Sequence, residues 1–277
     1  MGIRHILRVL ARSRSLRFTI DAAQARKLAL AGVRGKPLEK LRWRGRDVVY
    51  RPATSDPLAI YQVLLRRGGK AEYYLPPALK PEVILDIGSN IGTSILFFHE
   101  KFPAAKIYGF EPHPETFRIL QKNVGSIPSV EIFNYALGAA DARISVTFDG
   151  ADFSRFMINP GDTNWPGPVS TTECEVKHAG AVLKDLGVAR VDLIKIDCEG
   201  AEYDVLTALP AEMLRQCQWI TGEMHDASAF KLLALLAPHF DLDLKKRMFA
   251  PFFRFHACNL ACAAELQGTF DRNALQR

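Results

Sequence analysis

Hydrophobic and polar positions divide the chain into two textures. In the first twelve residues Ile3, Ile6, Leu7 and Leu10 recur at helical spacing, while Arg4, Arg8 and Arg12 lie one turn apart on another face. That pattern predicts a basic amphipathic helix. Leu41 and Trp43, then Asp47 to Arg51, predict a hairpin around Arg44-Gly45-Arg46. Thr54-Ser55-Asp56-Pro57 follows, with Asp56 expected as N-cap and Pro57 at the first position of a helix that runs to about Arg67 and ends at Gly68-Gly69.

After Pro76-Pro77 the pattern becomes an alternation. Apolar runs at Val83–Ile87, Ile107–Glu111, Val130–Tyr135, Val191–Asp197 and Gln218–Glu223 predict strands, and Ser94–Lys101, Glu115–Val124, Glu202–Leu209 and Ala227–Leu236 predict crossover helices. Strands that alternate with helices form a parallel sheet covered on both faces. Phe240–Arg247 and Phe252–Cys258, joined near Ala250-Pro251, add an antiparallel edge hairpin. The expected fold is therefore α/β: a Rossmann-like, doubly wound, seven-stranded sheet spanning residues 76–277, preceded by an extension over residues 1–75 (helix, hairpin, helix).

Composition bounds the class without adding to the fold. With 48% hydrophobic and 24% charged residues among 277, the chain has the apolar content of a globular protein. No apolar run approaches the ~18 residues of a membrane span, and Ile3–Leu10 is interrupted by Arg4, His5 and Arg8. A cytoplasmic protein is expected. The five cysteines are scattered without a C-x-x-C pair, which fits small buried hydrophobes in a reducing compartment. Charge is uneven: 14 of the 36 Lys and Arg, but only 3 of the 30 Asp and Glu, lie in residues 1–51. The first helix could accordingly lie on an anionic membrane surface or dock on nucleic acid, or it could simply expose its arginines while packed on the body.

The chemistry concentrates at Asp86-Ile87-Gly88-Ser89-Asn90-Ile91-Gly92, where a buried strand runs into a glycine-bearing loop and then a helix. Gly88 permits a tight turn, and Gly92 a close approach to the free N–H groups of the helix start. A dinucleotide site would need G-x-G-x-x-G against its pyrophosphate. Here the spacing is D-x-G-x-x-x-G, and an acid at the strand end would repel a pyrophosphate but welcome an ammonium and a sulfonium. S-adenosylmethionine carries both. Glu111, closing the second strand, is placed to accept hydrogen bonds from two ribose hydroxyls. Asp86, Gly88, Asn90, Gly92 and Glu111 are thus the expected cofactor-binding residues.

These segments, with Gly109-Phe110-Glu111-Pro112, Asn134-Tyr135-Ala136-Leu137-Gly138 and Asp192-Leu193-Ile194-Lys195-Ile196-Asp197-Cys198-Glu199-Gly200-Ala201-Glu202, resemble the FkbM-type family of class I S-adenosylmethionine-dependent methyltransferases. The resemblance covers roughly Asp47 to Asp226. It implies O-methylation of a hydroxyl on a small molecule, sugar or glycan, and adds Asn134 and Ala136 to the cofactor-binding set. The chain departs from the family before the fourth strand, where the family often opens a helix with Leu-Asp and this chain reads Val176-Lys177-His178-Ala179-Gly180.

The fourth strand is unusual for a buried one, since Lys195, Asp197 and Glu199 occupy alternate positions and would project the same way if extended geometry held to Glu199. A Lys195–Asp197 ion pair with Glu199 and Glu202 as first-turn helix acids is one reading. The other places Asp197 beside the transferred methyl and Glu199 toward the acceptor. On the fifth strand, Glu223 and His225 leave the sheet at one edge, and His225 could take the hydroxyl proton. Asp197, Glu199 and Glu223 could instead hold Mg²⁺. Base and metal remain alternatives. Phe148–Thr172, rich in Gly, Asp, Asn and Pro, reads as a long acceptor-binding loop with Ser154 and Arg155 as its polar contacts, joined by Glu223. A competing reading is a nucleic-acid- or membrane-binding module on a methyltransferase-like body, although no N-P-P-Y tetrapeptide supports a nucleic-acid substrate.

Overall fold

The computed structural model of the protein describes residues 2–30, 36–67, 71–149, 152–157, 169–225, 228–246 and 252–267. Two helices, α1 (Ile3–Ser13) and α2 (Leu16–Leu30), lead into the hairpin of β1 (Glu39–Trp43) and β2 (Arg46–Tyr50). Its two-residue turn places Arg44 and Gly45 in the left-handed region, which matches the twist of the paired strands. The helix expected from Asp56 to Arg67 differs from its pattern. It is regular as α3 (Asp56–Ile60) and continues to Leu65 in wider π-helical turns. Asp56 does not cap it. Its fully buried carboxylate accepts the backbone N–H and the guanidinium of Arg51 at 2.8–2.9 Å. Two charge-assisted bonds to a nearly buried guanidinium outweigh one cap.

The pattern gave no sign of α2, and the reason is chemical. Thr19 and Asp21 are each 2% exposed while Leu16 is 65% exposed, which inverts the usual amphipathic rule. Asp21 is satisfied inside by the Tyr50 hydroxyl at 2.9 Å.

The remaining elements are β3 (Val83–Ile87), α4 (Thr93–Lys101), β4 (Lys106–Phe110), α5 (Pro114–Val124), β5 (Val130–Phe133), β6 (Ala136–Gly138), β7 (Ala142–Asp149), β8 (Asp152–Met157), β9 (Val169–His178), α6 (Ala179–Asp185), β10 (Leu193–Ile196), α7 (Glu202–Ala208), α8 (Ala211–Gln216), β11 (Trp219–His225), α9 (Ser228–Leu236), β12 (Phe240–Lys246), β13 (Phe252–Asn259) and α10 (Ala263–Gln267). The main sheet has seven strands in the order β12-β13-β11-β10-β3-β4-β5. The pairs from β11 through β5 are parallel, and β13 inserts antiparallel between β11 and β12. The doubly wound sheet and its terminal hairpin are those the alternation predicts; the turn at Ala250-Pro251 lies outside the described residues.

Successive strand residues feed opposite cores. Ile84, Leu193 and Trp219 join a cluster with Val9, Phe18, Tyr50, Ile60 and Phe98, whereas Leu85, Ile194 and Ile220 join the cluster beneath α6, α7 and α9. The first cluster therefore fuses the extension of residues 1–75 to one face of the sheet.

Phe148–Thr172 is not the plain loop expected. Its described parts belong to β7, β8 and β9, which with β6 form a second sheet in the order β6-β9-β7-β8. The Gly, Pro and Asn residues of the segment fall outside these strands in the sequence, and their density makes the whole segment read as loop. Residues 158–168 are outside the described part, as are the side chains of Ser154 and Arg155 on β8. At the departure from the family pattern, His178 caps α6, its Nδ1 accepting the Ala181 N–H at 3.2 Å. Among the described residues, no helix is long and apolar enough to cross a membrane.

Candidate active site at the carboxyl ends of β3, β4, β10 and β11

The crossovers from β3 run one way to β4 and β5, and the chain returns to place β10 on the other side of β3. Ligands of open α/β sheets bind at this reversal, outside the carboxyl ends of the strands. The loops after β3 and β10 meet there. A Cβ on Gly88 would lie 1.9 Å from the Asp197 carbonyl oxygen, so only glycine lets the two backbones approach. Gly88, Asn90 and Gly92 all have positive φ (79°, 48° and 88°), and the N–H groups of Gly88 and Ser89 both reach the Phe110 carbonyl at the end of β4.

Glu111 continues from β4. Its carboxylate accepts the N–H of Asn90 on one oxygen and of His113 on the other, both at 2.9 Å, and burial pushes its pKa up to about 7. The Asn134 carboxamide donates to the carbonyls of Glu111 and Pro112 at 2.9 and 3.0 Å, which fixes the turn. Ala136 opens β6 next to it. His113, kept neutral by burial, caps α5. The Asn90 Oδ1 is buried and has no hydrogen-bond partner among the described residues.

Asp86 is fully buried. One oxygen accepts the Ser94 hydroxyl, and the other lies 3.3 Å from the Lys195 ammonium. The ion pair is thus Lys195–Asp86 and not Lys195–Asp197, and Lys195 also donates to the Ile87 and Gly88 carbonyls. Burial opposes the charge on Lys195, but Asp86 and Asp197 outweigh it and raise its pKa. Asp86 thus pairs with Lys195 inside the protein, and Lys195 reaches the Gly88 loop.

Beyond β10 the extended geometry ends at Ile196, and Glu199 (φ 55°) turns left-handed before Gly200. Lys195, Asp197 and Glu199 therefore do not share one strand face. The turn delivers Glu199 to His225 instead, at 3.5 Å from Nε2. Glu202, 1% exposed, accepts the N–H groups of Cys198 and Gly200 and meets His225 Nδ1 at 2.9 Å. Burial alone would lower the His225 pKa. Hydrogen bonding to Glu202 and the charges of Glu202, Glu199 and Asp197 reverse this and raise it to about 9. The histidine read from sequence as a base is held in this state as a cation.

Ligand atoms of Asp197, Glu223 and His225 lie within 4.8 Å of one another, the sole such grouping among the described residues. It corrects the Mg²⁺ reading of Asp197, Glu199 and Glu223. Glu223 already accepts the Arg254 guanidinium at 3.1 Å, and the third candidate ligand is an imidazole nitrogen rather than an oxygen. Such a set does not fit a hard cation that prefers oxygen ligands. Arg254 also pairs with Glu72, and burial together with the Asp197 charge lifts Glu223 to about 8. Tyr73, packed on Phe97 and Phe98, has its pKa raised by burial and by Asp86, Glu72, Asp197 and Glu223. Glu72, Tyr73 and Arg254 are site residues that the sequence pattern missed. The acid-aromatic run Glu72-Tyr73-Tyr74 before Pro76 was the available signal, and it reads as linker.

The family signature described as the methyltransferase FkbM domain matches residues 86–247. AMB antimetabolite synthetase AmbE of Pseudomonas aeruginosa is 29% identical over 185 residues, covering 55% of this chain and 9% of that protein. Methyltransferase 1 of Beauveria bassiana is 31% identical over 157 residues, covering 50% and 63%. 2-O-methyltransferase NoeI of Sinorhizobium fredii is 29% identical over 167 residues, covering 55% and 67%. The chain thus spans less than two thirds of the first two of these relatives.

Proposed function

The chain belongs to the FkbM methyltransferase domain family, and from that premise we propose that it transfers the methyl group of S-adenosylmethionine to a hydroxyl of a sugar or other small molecule. The observation that carries the reading is a pair of acceptors at the switch point: the Glu111 carboxylate, pushed to about 7 by burial, and the unpartnered Asn90 Oδ1. Both suit a ligand that donates from hydroxyl or ammonium groups, and both oppose a pyrophosphate. A relative whose name specifies a position, 2-O-methyltransferase NoeI, supports oxygen as the atom methylated.

Bound S-adenosylmethionine supplies a methyl group activated by a positive sulfur. The chain provides Asp197 and Glu199 beside His225, and a Gly88 loop held in place by Lys195. A hydroxyl held by the chain in line with that methyl would react chiefly through alignment. His225 is fixed through Nδ1 by Glu202, and its Nε2, with Glu199 and Glu223 at 3.5 and 3.7 Å, faces the acceptor side. With its proton lost, the His225 imidazole would be able to take that of the hydroxyl. Ser154, Arg155 and Glu223 are assigned to the acceptor side.

A calorimetric titration with S-adenosylmethionine tests the reading. Glu111→Ala should weaken binding at least tenfold, an effect of about 1.4 kcal/mol, the scale of one hydrogen bond to a charged group. Absence of binding in the parent chain, or equal affinity in Glu111→Ala, overturns it.

A further inference from the structure

Helix α1 carries an apolar stripe of which the fold half-buries Ile6 and Leu10 and leaves Ile3 and Leu7 exposed. Its buried positions are Val9 and Ser13, whereas Ile3 and Leu7 are 76% and 59% exposed. On α2, Phe18, Thr19 and Asp21 turn inward while Leu16 and Ile20 stay 65% and 43% exposed. Arg4, Arg8, Arg12 and Arg14 are all exposed, and none forms an ion pair with a described carboxylate. No acidic residue precedes Asp21, which points inward to the Tyr50 hydroxyl. The helix is nevertheless fixed to the body, with the His5 ring edge-on to Tyr61 at 5.1 Å and Val9 in the core.

We propose that this face docks the protein on an anionic phospholipid bilayer. Ile3 and Leu7, widened by Leu16 and Ile20, enter the acyl boundary, and Arg4, Arg8 and Arg12 meet lipid phosphates. The charge pattern alone would suit any polyanion. The exposed aliphatic side chains decide between partners, because a nucleic-acid backbone would leave them in water and a lipid interface buries them. Since α1 is already folded and anchored, little ordering cost accompanies docking.

Flotation of the full chain with phosphatidylcholine vesicles, with and without phosphatidylglycerol, tests this. Binding is expected only to the anionic vesicles. It should be lost in the double variant Ile3→Glu, Leu7→Glu, and should fall about tenfold or more when Arg8 and Arg12 are both changed to Gln. All four positions are exposed, so melting temperature and S-adenosylmethionine affinity should stay at parent values, which separates lost docking from lost folding. Three results overturn the proposal: no flotation with anionic vesicles; flotation unaffected by Ile3→Glu, Leu7→Glu; or duplex nucleic acid bound more tightly than the vesicles. A dimer broken by Leu7→Glu in a chain that does not float also overturns it, in favour of a second copy as the occupant.

Discussion

Glu111 shows how a single side chain stores folding free energy for binding. Its pKa in the folded chain, about 7, lies above the ordinary carboxylate value of 4.5. The folded state therefore holds this proton more tightly than the unfolded chain does. The stability associated with it is full below pH 4.5 and is lost as pH rises toward 7, by about 3 kcal/mol at 1.36 kcal/mol per unit. Hydroxyl donors from a ligand stabilise the charged form, so S-adenosylmethionine affinity should rise with pH through about 7 and binding below that pH should release a proton. Titration in two buffers of different ionisation enthalpy measures the release, and Glu111→Gln should abolish it. His225 has a consequence of the same sign in a higher pH window. Raised from 6.5 to about 9, chiefly by Glu202, it contributes stability below pH 6.5 that disappears as pH passes 9. Glu202→Gln should return the His225 titration toward 6.5, visible by NMR of the ring. If His225 takes the acceptor proton, the alkaline rise in methyl-transfer rate should move to lower pH with it; an unshifted profile assigns the proton to another group.

At the level of elements, the loop between β3 and α4 carries the demand for glycine. Gly88→Ala adds a Cβ 1.9 Å from the Asp197 carbonyl oxygen at a positive φ, where backbone must move. Destabilisation of at least about 2 kcal/mol is expected, read as a lower denaturant midpoint, together with weaker cofactor binding. Ala at Gly187, also at positive φ but with open space around it, should cost only the backbone strain, about 1 kcal/mol. The comparison separates loss of contact between the β3 and β10 loops from strain alone. The same scale explains what the sequence concealed. Strands β3, β4, β10 and β11 are legible because burial on both faces forces continuous apolar runs. Helix α2 is not, since inward polar groups break its periodicity, and strands β7 to β9 are not, since a stretch rich in turn residues lies between them and makes the whole segment read as loop.

For the whole molecule, the extension of residues 1–75 and the sheet share one core, so thermal unfolding should be a single transition with equal calorimetric and van't Hoff enthalpies. Asn123 joins them by hydrogen bonds as well. Its carboxamide accepts the Val49 N–H at 2.7 Å and donates to the carbonyls of Val49 and Ile91, linking the first hairpin to the loop beside the cofactor site. Asn123→Ala should lower stability by about 2–4 kcal/mol, measured by denaturant unfolding, because buried backbone groups on both sides lose their partner. The sequence by itself determined the doubly wound sheet and named Gly88, Asn90, Glu111, Asp197, Glu199, Glu223 and His225 as candidates, because local periodicity and glycine spacing are properties of neighbours along the chain. Only the tertiary structure decided that Asp86 answers Lys195, that Glu202 holds His225 as a cation, and that Glu72, Tyr73 and Arg254 complete the cluster. Those pairings join residues far apart in sequence, and the charge each side chain carries depends on burial and on partners that only folding brings within a few ångströms.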